Sequence, residues 1–231
     1  MKNKVKRLAI IPARSGSIRI KNKNIKDFHN KPIIQYTLNN AIQSKLFTDI
    51  HVSTDSKKTT KLVEKLGLKV NFLRPKKLST DKASLIDVLK YVTKNYSQKN
   101  KFYDEVWLLY ACAPLINYHD LIKASKYYNK TKKDLPMMSM KEFEAPVEWS
   151  FEKINKLFIA LDSKKIKIDS KKFKKKYFES GTFIIFPKKN DQDYNFKSKK
   201  NYGFVLPRLK AIDIDTHEDW QIAEFLYKCN K

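Results

Sequence analysis

LAIIPARSGSIRIKNKN, Leu8 to Asn24, passes from an unbroken apolar run into a turn of small residues and cations. The run Leu8–Ala13 has the length and continuity of a strand buried on both faces of a parallel sheet. A loop leaving the carboxyl end of such a strand is where open α/β sheets bind ligands. Ser15, Gly16 and Ser17 let backbone N–H groups approach an anion, and Arg14, Arg19, Lys21 and Lys23 are able to neutralise it. The spacing matches neither G-x-x-x-x-G-K-[ST] nor G-x-G-x-x-G, which excludes a P-loop and a dinucleotide fingerprint. On these residues alone two readings stay open, a phosphate cradle and a lysine-rich surface turn.

Working outward, strand and helix signals alternate. Ile34, Leu38, Ala41, Ile42 and Leu46 recur at helical spacing after Pro32, a residue suited to a first helical turn. DIHVSTD (Asp49–Asp55) predicts a second strand, Ser56–Leu66 a helix stopped by Gly67, and KVNFL (Lys69–Leu73) a third strand. Asp81–Tyr96 predicts a helix, DEVWLLYACAP (Asp104–Pro114) a strand stopped by Pro114, and Tyr118–Tyr128 another helix. Repeated βα units with short connections define a doubly wound, mainly parallel α/β sheet. From Met137 to Lys176 the pattern breaks into short strand-like pieces, an excursion from the sheet. Its lysine run, Lys164–Lys176, is expected to be a solvated hairpin edge protected by charge. YFESGTFIIF (Tyr177–Phe186), GFVL (Gly203–Leu206) and AIDID (Ala211–Asp215) return to the sheet. A last helix follows, capped by Thr216 with Asp219 three residues on, and presents Trp220, Ala223, Leu226 and Tyr227 on one face. No repeat or linker divides residues 1–231, so one domain is expected.

The chain of 231 residues carries 49 Lys+Arg against 24 Asp+Glu, a net charge of +25. Such a balance suits nucleic acid, an anionic membrane or an acidic substrate. Only Arg7, Arg14, Arg19, Arg74 and Arg208 are arginines, and no zinc-finger spacing, RNP-type run or heptad-bearing basic region is present. A lysine-coated surface with no nucleic-acid partner is the expectation. Cys112 and Cys229 belong to no C-x-x-C or C-x-x-H cluster, which argues against a zinc site or a disulfide framework. The charged start MKNKVKR is followed by too short an apolar stretch for a signal peptide, and no segment is long enough to span a bilayer. A cytoplasmic protein with reduced thiols is expected.

Near the C-terminus, IDIDT (Ile212–Thr216) sets Asp213 and Asp215 on one face of a strand end and two isoleucines on the other. Paired carboxylates repel without a cation, and Mg²⁺, which takes one or two carboxylates plus substrate phosphates, would resolve this. The alternative is one helix cap and one solvated acid.

IIPAR.GS....KN (Ile10–Asn24), VSTD (Val52–Asp55), LRP..L..D.AS (Leu73–Ser84), Ala113–Pro114 and DIDT..D (Asp213–Asp219) occur in this order across nearly the whole chain. In that order and spacing the sequence resembles the acylneuraminate cytidylyltransferases, enzymes that make CMP-activated nonulosonic acids. YACAP, YFESGTFIIF and LPRLKAIDIDTHEDW are most like the branch that handles pseudaminic acid. The resemblance implies a Rossmann-like nucleotidyltransferase fold in which residues 137–176 form an inserted dimerisation segment that helps close the partner's site in a homodimer. It implies CTP and an acidic nine-carbon sugar as substrates, with Mg²⁺ on Asp213 and Asp215. Arg14, Lys23, Asp213 and Asp215 would be catalytic. Ala13, Arg14, Ser15, Gly16, Ser17, Lys23, Asn24, Arg74, Ala83 and Ser84 would line the nucleotide, and Tyr110 the sugar. Ser15 and Ile18 stand where the family's loop has a glycine and a cation, and only Arg19 or Lys21 is near enough in sequence to compensate. His29, His51, His119 and His217 are scattered, and each reads as structural or solvated. Two other readings are a cytidylyltransferase for N-acetylneuraminic, legionaminic or 3-deoxy-octulosonic acid, and a non-catalytic basic protein that binds polyanions.

Overall fold

The computed structural model describes residues 5–187 and 200–229, so Met1–Lys4 of the charged N-terminal start lie outside the described residues. The elements in chain order begin with β1 (Arg7–Pro12), the two-residue strands β2 (Asp27–Phe28) and β3 (Lys31–Pro32), α1 (Ile33–Ser44), β4 (Asp49–Ser53), α2 (Lys57–Lys65) and α3 (Leu85–Ser97). They continue with β5 (Glu105–Leu109), α4 (Tyr118–Tyr128), β6 (Met137–Glu142), β7 (Phe151–Ile154), β8 (Leu157–Ala160), β9 (Tyr177–Pro187), β10 (Tyr202–Val205) and α5 (His217–Cys229). Among the described residues, no helix is long and apolar enough to cross a membrane.

Among the described residues, six strands form one sheet in the order β10-β6-β9-β5-β1-β4. β1 pairs parallel with β4 and β5, and β6 parallel with β10, whereas β9 runs antiparallel to both β5 and β6. The sheet is therefore mainly parallel with one reversed strand, a Rossmann-like α/β arrangement. β1 sits inside it, and its alternate residues feed two cores. Ala9 and Ile11 pack with Ile34, Leu38 and Trp220 on one side, and Leu8 and Ile10 with Val88, Leu89 and Val92 on the other. Burial on both faces accounts for the continuous apolar run. Each fully buried Leu or Ile contributes about 1.5–3 kcal/mol, so this strand anchors both layers.

Several elements differ from the sequence expectation. Lys69–Leu73 is not a strand. Val70 packs toward one core and Phe72 toward the other, with Phe72 stacked on His51 at 4.3 Å between ring centroids. The segment wraps beside the β4 edge and does not pair with it. The helix predicted from Asp81 starts at Leu85, because Ser84 is its N-cap and accepts from the backbone N–H of Asp87 at 3.1 Å. β6 lies within the sheet, between β9 and β10, so the excursion runs from 143 to 176 and not from Met137. Within it only β7 and β8 form a hairpin. The lysine run holds short 3-10 turns at Lys165–Lys167 and Ser170–Lys172 in place of a hairpin edge. Ala211–Asp215 is irregular and not a strand. Its alternation survives nonetheless, since Ile214 is buried and the flanking aspartates face the cleft.

Candidate active site

The cleft lies over the carboxyl ends of β1, β4 and β5. Ala13 closes β1 with its N–H donating to Ser53 O at 2.9 Å, and the chain then leaves the sheet. Two side chains fix the loop that follows. Asp55 accepts from both the N–H and the hydroxyl of Ser15, at 2.9 and 2.7 Å, and Asn24 Nδ2 donates to Arg14 O at 2.9 Å. Behind Asn24, the Cys112 thiol donates to its Oδ1 at 3.4 Å, and burial pushes that thiol up to about 12. Asn22 takes the left-handed conformation, with φ 55°, that turns the chain so Lys23 faces inward.

The two ends of the chain meet here. Lys23 Nζ donates to Ile214 O at 2.6 Å and to Asp215 Oδ1 at 3.1 Å, while Arg19 Nη2 donates to Asp215 Oδ2 at 2.8 Å. Arg14 forms an ion pair with Asp81 at 2.5 Å. The DIDT segment is held by its own cap. Asp219 Oδ2 accepts from the N–H of Asp215 at 3.0 Å and of Thr216 at 2.7 Å, and Thr216 Oγ1 accepts from the N–H of Asp219 at 3.2 Å. Asp213 passes so close to Gly181 that a Cβ there would lie 2.6 Å from its Cγ, and Gly181 also has φ +63°. A glycine is required at that point for both reasons.

The cleft encloses about 610 Å³. Arg14, Ser17, Lys23, Asn24, Arg74, Ala83, Tyr110, Asp213 and Asp215 line it, together with Ile18 and Arg19 from the loop. Ala13 and Ser15 support the loop from behind, a Cβ added at Gly16 would meet only open space, and the Ser84 hydroxyl donates to Asp87 at 2.7 Å while capping α3. Arg74 lies at the floor, donating to Ser53 Oγ at 3.1 Å and Ser53 O at 2.6 Å. Burial lowers its guanidinium to about 10, against the opposing pull of Asp55. Lys21 is exposed and does not line the cleft.

Asp55 and Asp81 both stand within sequence motifs that assign them no role. Their partners, Ser15 and Arg14, are distant in sequence, so only the fold reveals what they do. Asp81, Thr80, Leu85 and Val88 complete the wall opposite the loop. Glu179 also stands near this acidic group, its Oε1 accepting from Gly181 N–H at 2.9 Å, and burial pushes it up to about 7.

Asp213 and Asp215 are the side chains of the cleft with the chemistry to hold a hard divalent cation, although Asp215 is paired with Arg19 and Lys23. Burial first, and the neighbouring Asp215 second, raise Asp213 above the usual carboxylate range. Among the described residues its carboxylate accepts no hydrogen bond, so its oxygens are available. No group of three or more His, Cys, Asp or Glu side chains among the described residues is placed to hold a metal. A two-carboxylate site that relies on substrate phosphates for its other ligands is the pattern of Mg²⁺.

A mainly parallel sheet with a cationic loop and an acid pair converging at its carboxyl edge defines a nucleotidyltransferase. The chain belongs to the cytidylyltransferase family, which it matches over residues 8–229. It is 38% identical over 232 residues to a pseudaminic acid cytidylyltransferase of Campylobacter jejuni subsp. jejuni serotype O:2, with 98% of each chain covered. It is 30% identical to an N-acylneuraminate cytidylyltransferase of Escherichia coli O18:K1:H7, covering 95% of this chain and 52% of that one. In fold it is similar to a CMP:2-keto-3-deoxy-manno-octonic acid synthetase complexed with CTP, with TM-score 0.66, 16% identity and coverage of 98% and 100% of the two chains.

Proposed function

We propose that this enzyme joins CTP to a nonulosonic acid, pseudaminic acid in particular, giving the CMP-sugar and pyrophosphate for surface-glycan synthesis. One observation carries the reading. Lys23, from the first loop, donates to Asp215 at 3.1 Å and to the Ile214 carbonyl at 2.6 Å, so the loop cations and the C-terminal acid pair share one cleft. The 38% identity to a pseudaminic acid cytidylyltransferase over 98% of each chain favours that sugar over the legionaminic, N-acetylneuraminic and octulosonic alternatives.

In this reaction the anomeric 2-hydroxyl of the sugar attacks the α-phosphorus of CTP. A C–O–P bond forms, the bond from the α-phosphorus to the bridging oxygen breaks, pyrophosphate leaves with that electron pair, and the hydroxyl proton passes to solvent. Arg14 and Lys23 neutralise the triphosphate, and the buried Arg74 and Ala83 with Val88 form the nucleoside wall. Tyr110, at the end of β5, faces the sugar. Asp213 and Asp215 would hold Mg²⁺, which when bound would supply charge neutralisation at the phosphates. Positioning and electrostatics do the work that covalent groups do elsewhere. None of the histidines lines the cleft. His29 Nε2 lies 3.1 Å from Glu224 O, His51 is buried, His119 packs on Tyr118 and His217 opens α5.

The β7–β8 hairpin supports a homodimer as the working unit. Leu157, Phe158 and Leu161 are 68%, 66% and 69% exposed, an apolar surface that a monomer would leave in water. The enzyme acts in the cytoplasm, where CTP is supplied and where free Cys112 and Cys229 stay reduced.

The test is incubation with CTP, Mg²⁺ and a panel of nonulosonic acids, with products weighed by mass spectrometry. CMP–pseudaminic acid as the dominant product is expected. Turnover of another acid in its place would reassign the sugar, and no CMP-sugar from any of them would overturn the reaction.

A further inference from the structure

Glu179, on β9, is an acid without a cation in a chain that carries 49 Lys+Arg. It is half-buried. Its Oε1 accepts from the Gly181 N–H at 2.9 Å, and among the described residues no lysine or arginine pairs with it and Oε2 accepts no hydrogen bond. Taking a carboxylate out of water is costly unless donors replace the lost hydration. The protein supplies one such donor and leaves the second oxygen open.

The backbone aims this side chain deliberately. β9 pairs with β6 at Met138↔Ile184 and again at Met140↔Glu179, so residues 180–183 of β9 lie opposite Ser139 alone. Bulges of this kind re-aim side chains beside functional sites. Buried hydroxyls pin this one: Ser139 Oγ accepts from Ser180 Oγ at 2.9 Å and from the Phe183 N–H at 3.0 Å. Paired residues of antiparallel strands share a face, which puts Glu179 on the side of Met140 and Met138, the side where Met138 and Tyr110 join one core. Its neighbour Phe178 turns the other way and packs on Phe143, with ring centroids 4.6 Å apart. Burial raises the Tyr110 phenol, and Glu179 and then Asp213 raise it further, so both carboxylates are felt at that ring.

In the sheet, β1 with its cationic loop, β5 ending at Tyr110 and β9 bearing Glu179 follow one another. A ligand that extends from the loop across Tyr110 therefore arrives at Glu179. An ionised carboxylate only accepts, and it repels phosphate and the sugar's own carboxylate. What it can take is an N–H or O–H from the uncharged part of the sugar. We propose that Glu179 is a specificity-determining residue, whose open oxygen accepts a hydrogen bond from an acylamido N–H or a hydroxyl of the acid sugar bound beside Tyr110. This rests on the cytidylyltransferase reading above.

Steady-state CMP-sugar formation by the full chain, Glu179→Gln and Glu179→Ala tests it, with CTP and pseudaminic acid, or whichever acid the panel above identifies, varied in turn. Glutamine keeps an acceptor for the Gly181 N–H and so keeps the bulge, but loses the charge that strengthens a bond to the sugar. Glu179→Gln should raise KM for the sugar about fivefold and Glu179→Ala about 10- to 100-fold, the usual worth of a hydrogen bond to a charged group. KM for CTP should move less than twofold in both, and the thermal midpoint of Glu179→Gln should stay that of the unaltered protein. 3-Deoxy-octulosonic acid, which has hydroxyls and no acylamido group, serves as competitor. An inhibition constant unchanged in Glu179→Gln assigns the acylamido N–H, and one raised in step with the sugar KM assigns a hydroxyl. The proposal is overturned if Glu179→Gln keeps the sugar KM within twofold of the unaltered protein, which would leave Glu179 as a clamp on the bulge, or if KM for CTP rises equally. No CMP-sugar from the unaltered protein would instead overturn the reaction itself, and the Glu179 role with it.

Discussion

Asp215 and His51 show how differently a charge-bearing side chain is treated in the cleft and in the core. Asp215 is paired with two cations at the surface of the cleft. Asp215→Ala should leave thermal unfolding nearly unchanged and lower kcat/KM for CTP about 100- to 1000-fold, the usual cost of one lost electrostatic contact to a developing charge. Steady-state pyrophosphate release checks this, and near-normal turnover would remove Asp215 from the proposed metal site. His51 is 1% exposed between Phe72 and Tyr96, and among the described residues neither ring nitrogen has a hydrogen-bond partner. Burial, with Arg74 and Lys99 adding to it, lowers the imidazole from 6.5 to about 3. The folded state therefore keeps it neutral while the unfolded chain protonates it. Its contribution is fully present above pH 6.5 and falls by about 1.4 kcal/mol per pH unit as pH drops toward 3. His51→Phe keeps the ring stack and removes the titrating group, so urea melts from pH 7 to pH 4 should show a flatter acid limb than the unaltered protein.

At the scale of elements, α5 positions the acid pair although it contributes no cleft residue of its own. Its buried Trp220 packs edge-on to Phe28 with ring centroids 5.5 Å apart, under Lys26 Nζ at 4.6 Å from the Trp220 ring centroid. Tyr227 meets Phe28 at 5.6 Å and Tyr36 at 5.2 Å. This aromatic cluster fastens the last helix to the β2–β3 turn, which directly follows the cationic loop, and so sets Asp215 against Lys23. Trp220→Ala opens a large cavity at that joint. A loss of about 3–5 kcal/mol is expected in denaturant melts, with a raised KM for CTP in whatever fraction folds. An unchanged KM would mean that the loop and the acids are aligned by other contacts.

For the whole molecule, charge and apolar surface are sorted by region. Lysines cover the exterior, yet the hairpin between residues 151 and 160 exposes a row of large apolar side chains, and a groove of about 400 Å³ lined by Phe143, Val147, Trp149 and Phe178 opens beside it. Exposed apolar area of this kind is what the proposed homodimer would cover. Phe158→Asp combined with Leu157→Asp should convert a dimer to a monomer in light scattering and lower activity, whereas a monomeric unaltered protein would remove the dimer from the mechanism. The +25 charge has a different consequence. CTP binding should weaken with salt far less steeply than a polyanion-binding surface would require, since few phosphates are engaged.

Helices α1, α2 and α4, the strands β1, β4 and β5, and the Thr216 cap were legible in the order of residues. They follow from short-range rules of periodicity, capping and turn chemistry that act within a few positions. The failures share one cause. Lys69–Leu73 has strand composition but no strand partner, and Met137–Glu142 has weak alternation but gains a place between β9 and β10, because pairing depends on which edge is free once the chain has folded. The site divides in the same way. Its residue types could be named from motifs. The partner of each, Asp55 for Ser15, Asp81 for Arg14 and Asp215 for Lys23 across 192 positions, was decided only when the parallel sheet brought distant loops to one edge.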